Sequence, residues 1–400
     1  MSLRFLSQVL STTLTIVIGS LCLFAQELSV TRLDASRISP SQIDTAAARL
    51  IEAAHVTGVG IAILNDDKVV YLKTYGVRDK EKPLPLTPDS VMTAASLTKP
   101  VFAAMVMQLV HERIIELDKP VYEYLPKPLP EYPAYKDLAD DPRYRQITMR
   151  MLLDHTSGFP NWRRFTEDKK LRIYFPPGSG FAYSGEGIAL AQMTVETVTK
   201  KSVNELMNEH VFQPLGMTRT SMVWERRFED DYANGYDEKG ESRGPERRLN
   251  GDASGSMQTT LSDYARFVEA VLSGAYLDRE SRELMLSPQI QIMSKHEFPS
   301  LSTETTTENR AIHLSYGIGW GLYSTRYGKA FFKEGHDEDG GWRHYVVCFD
   351  RPKAGMLIMT NSSNGEDIYS GLLETALRDT FTPLEWEGFK TSTSVGPSHP

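Results

Sequence analysis

The chain has almost no cysteine: Cys22 and Cys348 are the two among 400 residues. That supply builds neither a disulfide framework nor a cysteine-ligated zinc site, so a folded state must rest on an ordinary core. Basic runs are equally scarce. With a net charge of −8 and no stretch of Lys and Arg long enough to follow phosphates, a nucleic-acid partner is not expected. Two catalytic signatures are also missing. There is no Gly-x-Ser-x-Gly pentapeptide of the α/β-hydrolase type and no His-Glu-x-x-His zinc motif. A long uncharged, apolar run occurs in one place, Phe5 to Ala25, behind Arg4 and ahead of Gln26 and Glu27. It predicts an export signal over residues 1–25 and a periplasmic or secreted protein with no stable membrane span after cleavage; a retained anchor is the alternative.

What remains is the composition of a globular chain, 40% apolar and 24% charged, with enough apolar material for a sizeable core. Gly58 to Val77 reads as two β-rich runs around Asn65, Asp66 and Asp67, the chemistry of a hairpin turn. Three more strand-like runs, KAFFKEG, WRHYVVCFD and AGMLIMTN, lie near the other end. Between the two blocks the text is helical and loop-like, with Pro126, Pro128, Pro130 and Pro133 breaking regular structure. The expectation is an α/β fold. A five-stranded-type antiparallel sheet flanked by helices is built from both chain ends (26–115 and 250–385), and a mainly helical domain (116–249) is inserted between them. A closing helix is expected near Asp367 to Phe381, and a disordered tail over residues 386–400.

The segment AASLTKPVFAAMVMQLV, Ala94 to Val110, predicts a helix that is apolar on nearly every side and therefore buried. Pro100 fits only in its first turn, which puts Ser96 at or just before the helix start, beside the outward-pointing backbone donors. Lys99 then shares a face with Ser96. A lysine pushed toward its neutral form by burial and nearby positive charge can take a serine proton, and the helix N-terminus can stabilise an oxyanion. The same serine could equally be a helix cap beside a solvated lysine. Tyr183, in FAYSGEG, offers a second hydroxyl able to relay protons. In FFKEGHDEDGGWRHYVV, Lys333, Gly335 and His336 stand where a strand edge could present backbone N–H groups to a nucleophile.

With these residues in view, the chain resembles the serine β-lactamase and penicillin-binding protein-like family, in the branch of class C β-lactamases, D-alanyl-D-alanine carboxypeptidases and related esterases. Ser96-Leu97-Thr98-Lys99 matches its Ser-x-x-Lys motif, and Tyr183-Ser184-Gly185 lies where its Tyr-x-Asn motif would be. ITMRMLLDHTSGFP, FQPLGMTRTS, GSMQTTLSDYARF and YGIGWGL follow in the family's order. The resemblance implies an acyl-enzyme on Ser96, a general-base pair of Lys99 and Tyr183, and an oxyanion hole from the Ser96 N–H and a third-motif N–H. The substrate would be a small ester, a β-lactam or a D-amino-acid-terminated peptide, with no cofactor and no metal. A catalytically weak or inactive binding or signalling module is the alternative.

Two departures bear on substrate. Gly185 replaces the family's asparagine, so that amide contact is lost unless Glu186 or another residue supplies it. The third motif fits in two registers: Lys333-Glu334-Gly335 with His336 giving the oxyanion N–H, or His336 in the lysine's place with Glu338 where glycine is expected. The first keeps the glycine. Asp337, Glu338 and Asp339 read as a solvated turn and not a cation site, and His155 as a packing or hydrogen-bonding histidine.

Overall fold

A computed structural model describes residues 29–337 and 339–391. The expected leader (1–25) lies outside them. Among the described residues no helix is long and apolar enough to cross a membrane.

The hairpin read from the sequence forms as β1 (Gly58–Asn65) and β2 (Lys68–Asp79). Asp66 and Asp67 both adopt positive φ, +48° and +56°. This is the left-handed pair that a two-residue turn needs to match strand twist, and aspartate tolerates it better than most side chains. At the other end β3 (Gly321–Thr325), β4 (Gly328–Asp337), β5 (Trp342–Phe349) and β6 (Ala354–Thr360) follow as a meander. The two ends meet where β6 pairs antiparallel with β1, from Gly355 opposite Leu64 to Thr360 opposite Val59. The five longest strands form the centre expected from the sequence, but the sheet has nine strands. β3 and the two-residue strands Ser315–Tyr316 and Ile290–Gln291 extend one edge, and Leu84–Pro85 extends the other.

The sheet is covered on both faces, which explains why its strands read as unbroken apolar runs instead of alternating ones. Within β1, Ala62 and Leu64 belong to one core and Ile61 and Ile63 to the other. α1 (Pro40–Ala53) and a closing helix, α5 (Tyr369–Leu377), lie on the second face. The first face packs on α2 (Thr98–His111) and α4 (Leu261–Ser273), and the same core runs on into α3 (Gly185–Thr199) of the helical region. α2 is buried from Thr98 through Met107 without interruption. The proline-rich stretch forms short 3-10 turns, among them Val121–Tyr124 and Leu129–Glu131.

The disordered tail expected over residues 386–400 is contradicted at its start, and residues 392–400 lie outside the described ones. Instead of trailing away at residue 386, the chain buries Trp386, Glu387 and Phe389, which are 6%, 7% and 8% exposed. Two aromatic side chains three residues apart supply an anchor that period-based reading of so short a segment misses. Trp386 grips the loop before it in sequence. Its Nε1 donates to the Ser294 carbonyl at 3.2 Å, and its own carbonyl accepts from the Glu297 N–H at 2.9 Å. Trp386→Ala is expected to destabilise the protein by about 3 kcal/mol, as for other buried aromatic truncations; urea denaturation of the two proteins measures the difference.

Candidate active site

Ser96 sits in a single 3-10 turn, Ala95–Leu97, immediately ahead of α2. It does not cap the helix. The cap position is Leu97, with no side-chain hydrogen bond, and Thr98 turns its hydroxyl back to the Ala95 carbonyl at 2.7 Å. Ala95 holds φ at +48°, a left-handed conformation unusual for alanine, which the surroundings must enforce. They do so from three sides. The Ala94 N–H donates to the Met257 carbonyl at 2.7 Å, the Tyr264 hydroxyl donates to the Leu97 carbonyl at 3.0 Å, and β4 presses on the turn at Gly335. A Cβ on Gly335 would lie 2.8 Å from the Ala94 oxygen and 2.9 Å from Leu97 Cγ, so no side chain fits there.

One helical turn on, the Lys99 ammonium is 2.9 Å from Ser96 Oγ and donates to the Ser254 carbonyl at 2.7 Å. Lys99 is only 3% exposed. Burial, and next the like charge of Lys333, bring its pKa down to about 7. Tyr183 lies across from it: the Lys99 nitrogen is 4.9 Å from the centre of the Tyr183 ring, and the Lys333 nitrogen is 4.5 Å from it. Burial pushes the Tyr183 phenol well above its ordinary range. The charges of Glu334 and Glu297 act in the same direction, while its approach to Ser96 acts against them. The phenol therefore keeps its proton, and its buried oxygen has no hydrogen bond of good geometry within the protein. Of the two hydroxyl-activating groups, the lysine is the one held near neutrality.

Local sequence places Tyr183. Ser184 caps α3, accepting from the Gly187 N–H at 2.9 Å, and its own N–H donates to His155 Nδ1 at 3.2 Å. The His155 ring lies 4.4 Å from the Tyr183 ring, tilted by 44°, buried and kept neutral by desolvation, in keeping with the packing or hydrogen-bonding role expected of it. Gly185, the departure from the family pattern, has a steric cause. Its Cβ would fall 2.4 Å from the Trp162 ring, so an asparagine cannot be accommodated beside that indole. Glu186 does not replace it, because its carboxylate is locked in a bidentate pair with Arg163, the Nη2–Oε2 arm at 2.6 Å. Asn161 brings an amide to the cavity instead, and its Oδ1 accepts from the Gly185 N–H at 3.1 Å.

The third-motif residues separate. Lys333 is buried, ion-paired with Glu334 and held charged by it. His336 faces the cavity, with its ring nitrogen 3.9 Å from Glu366. β3 pairs with β4 only as far as Phe332, which leaves the edge of Lys333–Asp337 open on that side. Ser96, Lys99, Tyr183, Glu334 and His336 all line one cavity of about 630 Å³.

Sequence reading singled out neither Glu297 nor Glu387 and gave Glu334 no role beyond its place in the third motif, yet all three share this cavity. They are 3%, 4% and 7% exposed, and one carboxylate oxygen from each falls within 4.8 Å of the others. Among the described residues this is the one trio of side chains able to hold a metal ion. Glu297 has its pKa raised to about 8 and Glu387 is shifted in the same direction, each by burial first and then by the neighbouring carboxylates. No spacing rule could have found a trio drawn from a loop, a strand and the C-terminal tail.

Comparison with known proteins agrees with the fold. The Beta-lactamase family model matches residues 43–375. Penicillin-binding protein 4* of Bacillus subtilis (strain 168) is 24% identical over 347 residues, covering 77% of this chain and 69% of the relative. Protein flp of Staphylococcus aureus (strain MRSA252) is 25% identical over 59% of this chain, and the chain spans about half (49%) of that relative's length. Esterase EstB of Burkholderia gladioli is 28% identical over 52% of this chain and 57% of its own length. The octameric penicillin-binding protein homologue from Pyrococcus abyssi shares the fold, with a TM-score of 0.68 at 23% identity over 88% of this chain and 79% of its own. With a family model spanning most of its length and the Ser-x-x-Lys pair at hydrogen-bond distance in the expected fold, the chain belongs to the Beta-lactamase family.

Proposed function

We propose that the protein is a serine hydrolase that forms an acyl-enzyme on Ser96 and acts preferentially on small esters or amides. The observation that carries this is the Lys99 amine, 2.9 Å from Ser96 Oγ and held near neutrality by burial and by Lys333. Neutral Lys99 takes the Ser96 proton as Oγ attacks the substrate carbonyl. The developing oxyanion is met by the Ser96 N–H and by the N–H of His336 on the open edge of β4, an arrangement that supports the Lys333-Glu334-Gly335 register. Tyr183, protonated and with its ring beside both lysine nitrogens, passes its proton to the leaving group and recovers one from the Lys99 ammonium; water then enters, gives a proton to Lys99, and Ser96 leaves with one from Tyr183. Two of the relatives, a penicillin-binding protein and an esterase by name, fit an acyl-transfer chemistry of this kind. Placement outside the cytoplasm rests on the leader reading of residues 1–25 alone.

Substrate size and charge follow from the cavity wall. Trp162 fills the space of the missing amide at Gly185, and among the lining side chains eight carboxyl groups face two fixed cations, Arg164 and Arg248. Both features disfavour substrates that bring a carboxylate and an amide-substituted ring. p-Nitrophenyl butyrate should therefore be turned over far faster than nitrocefin; parallel steady-state kinetics checks this, and a large preference for nitrocefin would refute it.

Incubation with a fluorophosphonate should add one adduct to the wild type and none to Ser96→Ala, read by intact mass, which also shows whether the exported chain starts at Gln26. Absence of an adduct on the wild type removes the enzyme reading and favours a binding module. Because Lys99 must be neutral to accept the proton, kcat/KM should rise with pH through a midpoint near 7. Lys333→Met should move that midpoint upward, since it removes the like charge and leaves Glu334 to favour the Lys99 ammonium. Lys99→Ala should lower kcat by roughly 10²–10⁴ with little change in KM, the range for loss of a positioned base.

A further inference from the structure

The catalytic chemistry of Ser96, Lys99 and Tyr183 makes no use of Glu297 or Glu387, yet both lie buried in the wall of the same cavity. Burying three carboxylates together is costly unless something neutralises them. Lys333 answers for Glu334. For the other two the supply is incomplete: Glu387 Oε2 accepts from the Tyr345 hydroxyl at 2.5 Å, whereas Glu387 Oε1 and Glu297 Oε2 are buried without any hydrogen-bond partner. Two unfilled acceptor atoms within reach of a third carboxylate, on residues that line the cavity, point to a cationic donor that would displace the protons burial holds there.

We propose that Glu297, Glu334 and Glu387 form a subsite for a primary ammonium group on the substrate, so that the natural substrate class is an ester or amide whose acyl portion carries a free amine. This deepens the acyl-enzyme reading and rests on it for the placement of the scissile carbonyl. A primary ammonium has three N–H donors, one for each converging carboxylate. The subsite is close to the chemistry: Glu334 is bonded to Lys333, whose nitrogen lies over the ring of Tyr183, and the charges of Glu334 and Glu297 act on both Tyr183 and Lys99. Ser96 and all three glutamates line the same cavity, so one substrate can reach both. A divalent metal fits less well. Calcium and magnesium take six or more oxygens, the trio offers one from each of three residues, and a doubly charged ion would sit beside the Lys333 ammonium. The excess of carboxylates around the whole cavity draws a cation toward the site and repels a substrate carboxylate.

Binding without turnover separates this proposal from the hydrolase reading. Alaninamide and N-acetylalaninamide differ in whether the amine is free, and both can be titrated calorimetrically into full-length Ser96→Ala protein. Alaninamide should bind at least about tenfold more tightly, the order expected for charge-assisted contacts. Glu297→Gln and Glu387→Gln should each bring the ratio toward one while the protein stays folded by circular dichroism. Equal affinities, no binding of either compound, or a ratio that persists in the double glutamine variant would overturn the proposal. Calcium chloride that displaces alaninamide at micromolar concentration would also overturn it, by assigning the trio to a metal. The first comparison needs no glutamate variant, so a folding defect in those proteins leaves the proposal testable. A fluorophosphonate adduct on the wild type tells failure of the subsite from failure of the hydrolase reading.

Discussion

Sealed from water beside a second buried lysine, Lys99 has its pKa brought down to about 7, and the site depends on that shift. Lys99 and Lys333 both lie within 5 Å of the centre of the Tyr183 ring, and both are almost fully buried. They respond in opposite ways because their partners differ. Lys333 has the Glu334 carboxylate in contact and stays charged; Lys99 has a serine hydroxyl and a carbonyl, neither of which offsets desolvation. One amine serves as a fixed positive charge and the other as a base, and the first tunes the second.

The fold exists around this pair. α2 can bury Lys99 only because its remaining faces are apolar and enclosed, between the sheet on one side and the helical region on the other. The strained turn at Ala95 aims Ser96 into the cavity, and it holds because β4 lies directly against it at Gly335. The far wall comes from the tail, where Trp386 fixes the loop carrying Glu297 and brings Glu387 alongside. Segments from three distant parts of the chain thus converge on a space that no single one defines.

Much of this was legible in the sequence, and the reasons are specific. The hairpin at Asp66 and Asp67 and the C-terminal strand runs declare themselves through turn chemistry and β-rich composition, and the buried helix through its apolar face on every side. Ser96 and Lys99 are visible because helical spacing makes them neighbours. Other features are invisible for equally physical reasons. The edge strands of two residues leave no period to read. Gly185 looks like a loss until Trp162 is seen filling the space above it. The packing of Trp386 and Phe389, and the glutamate trio that depends on it, arises from tertiary contacts between residues far apart in the chain, where local pattern carries no signal.

The central claim is that burial next to Lys333 brings the Lys99 pKa down to about 7, so that much of it is neutral amine at physiological pH. It can be measured without substrate, by following the side-chain resonance of Lys99 in lysine-labelled protein by NMR across pH 5 to 11, assigned by its absence in Lys99→Arg. The account predicts titration near pH 7. A Lys99 resonance that titrates near 10, as a solvated lysine does, would contradict it.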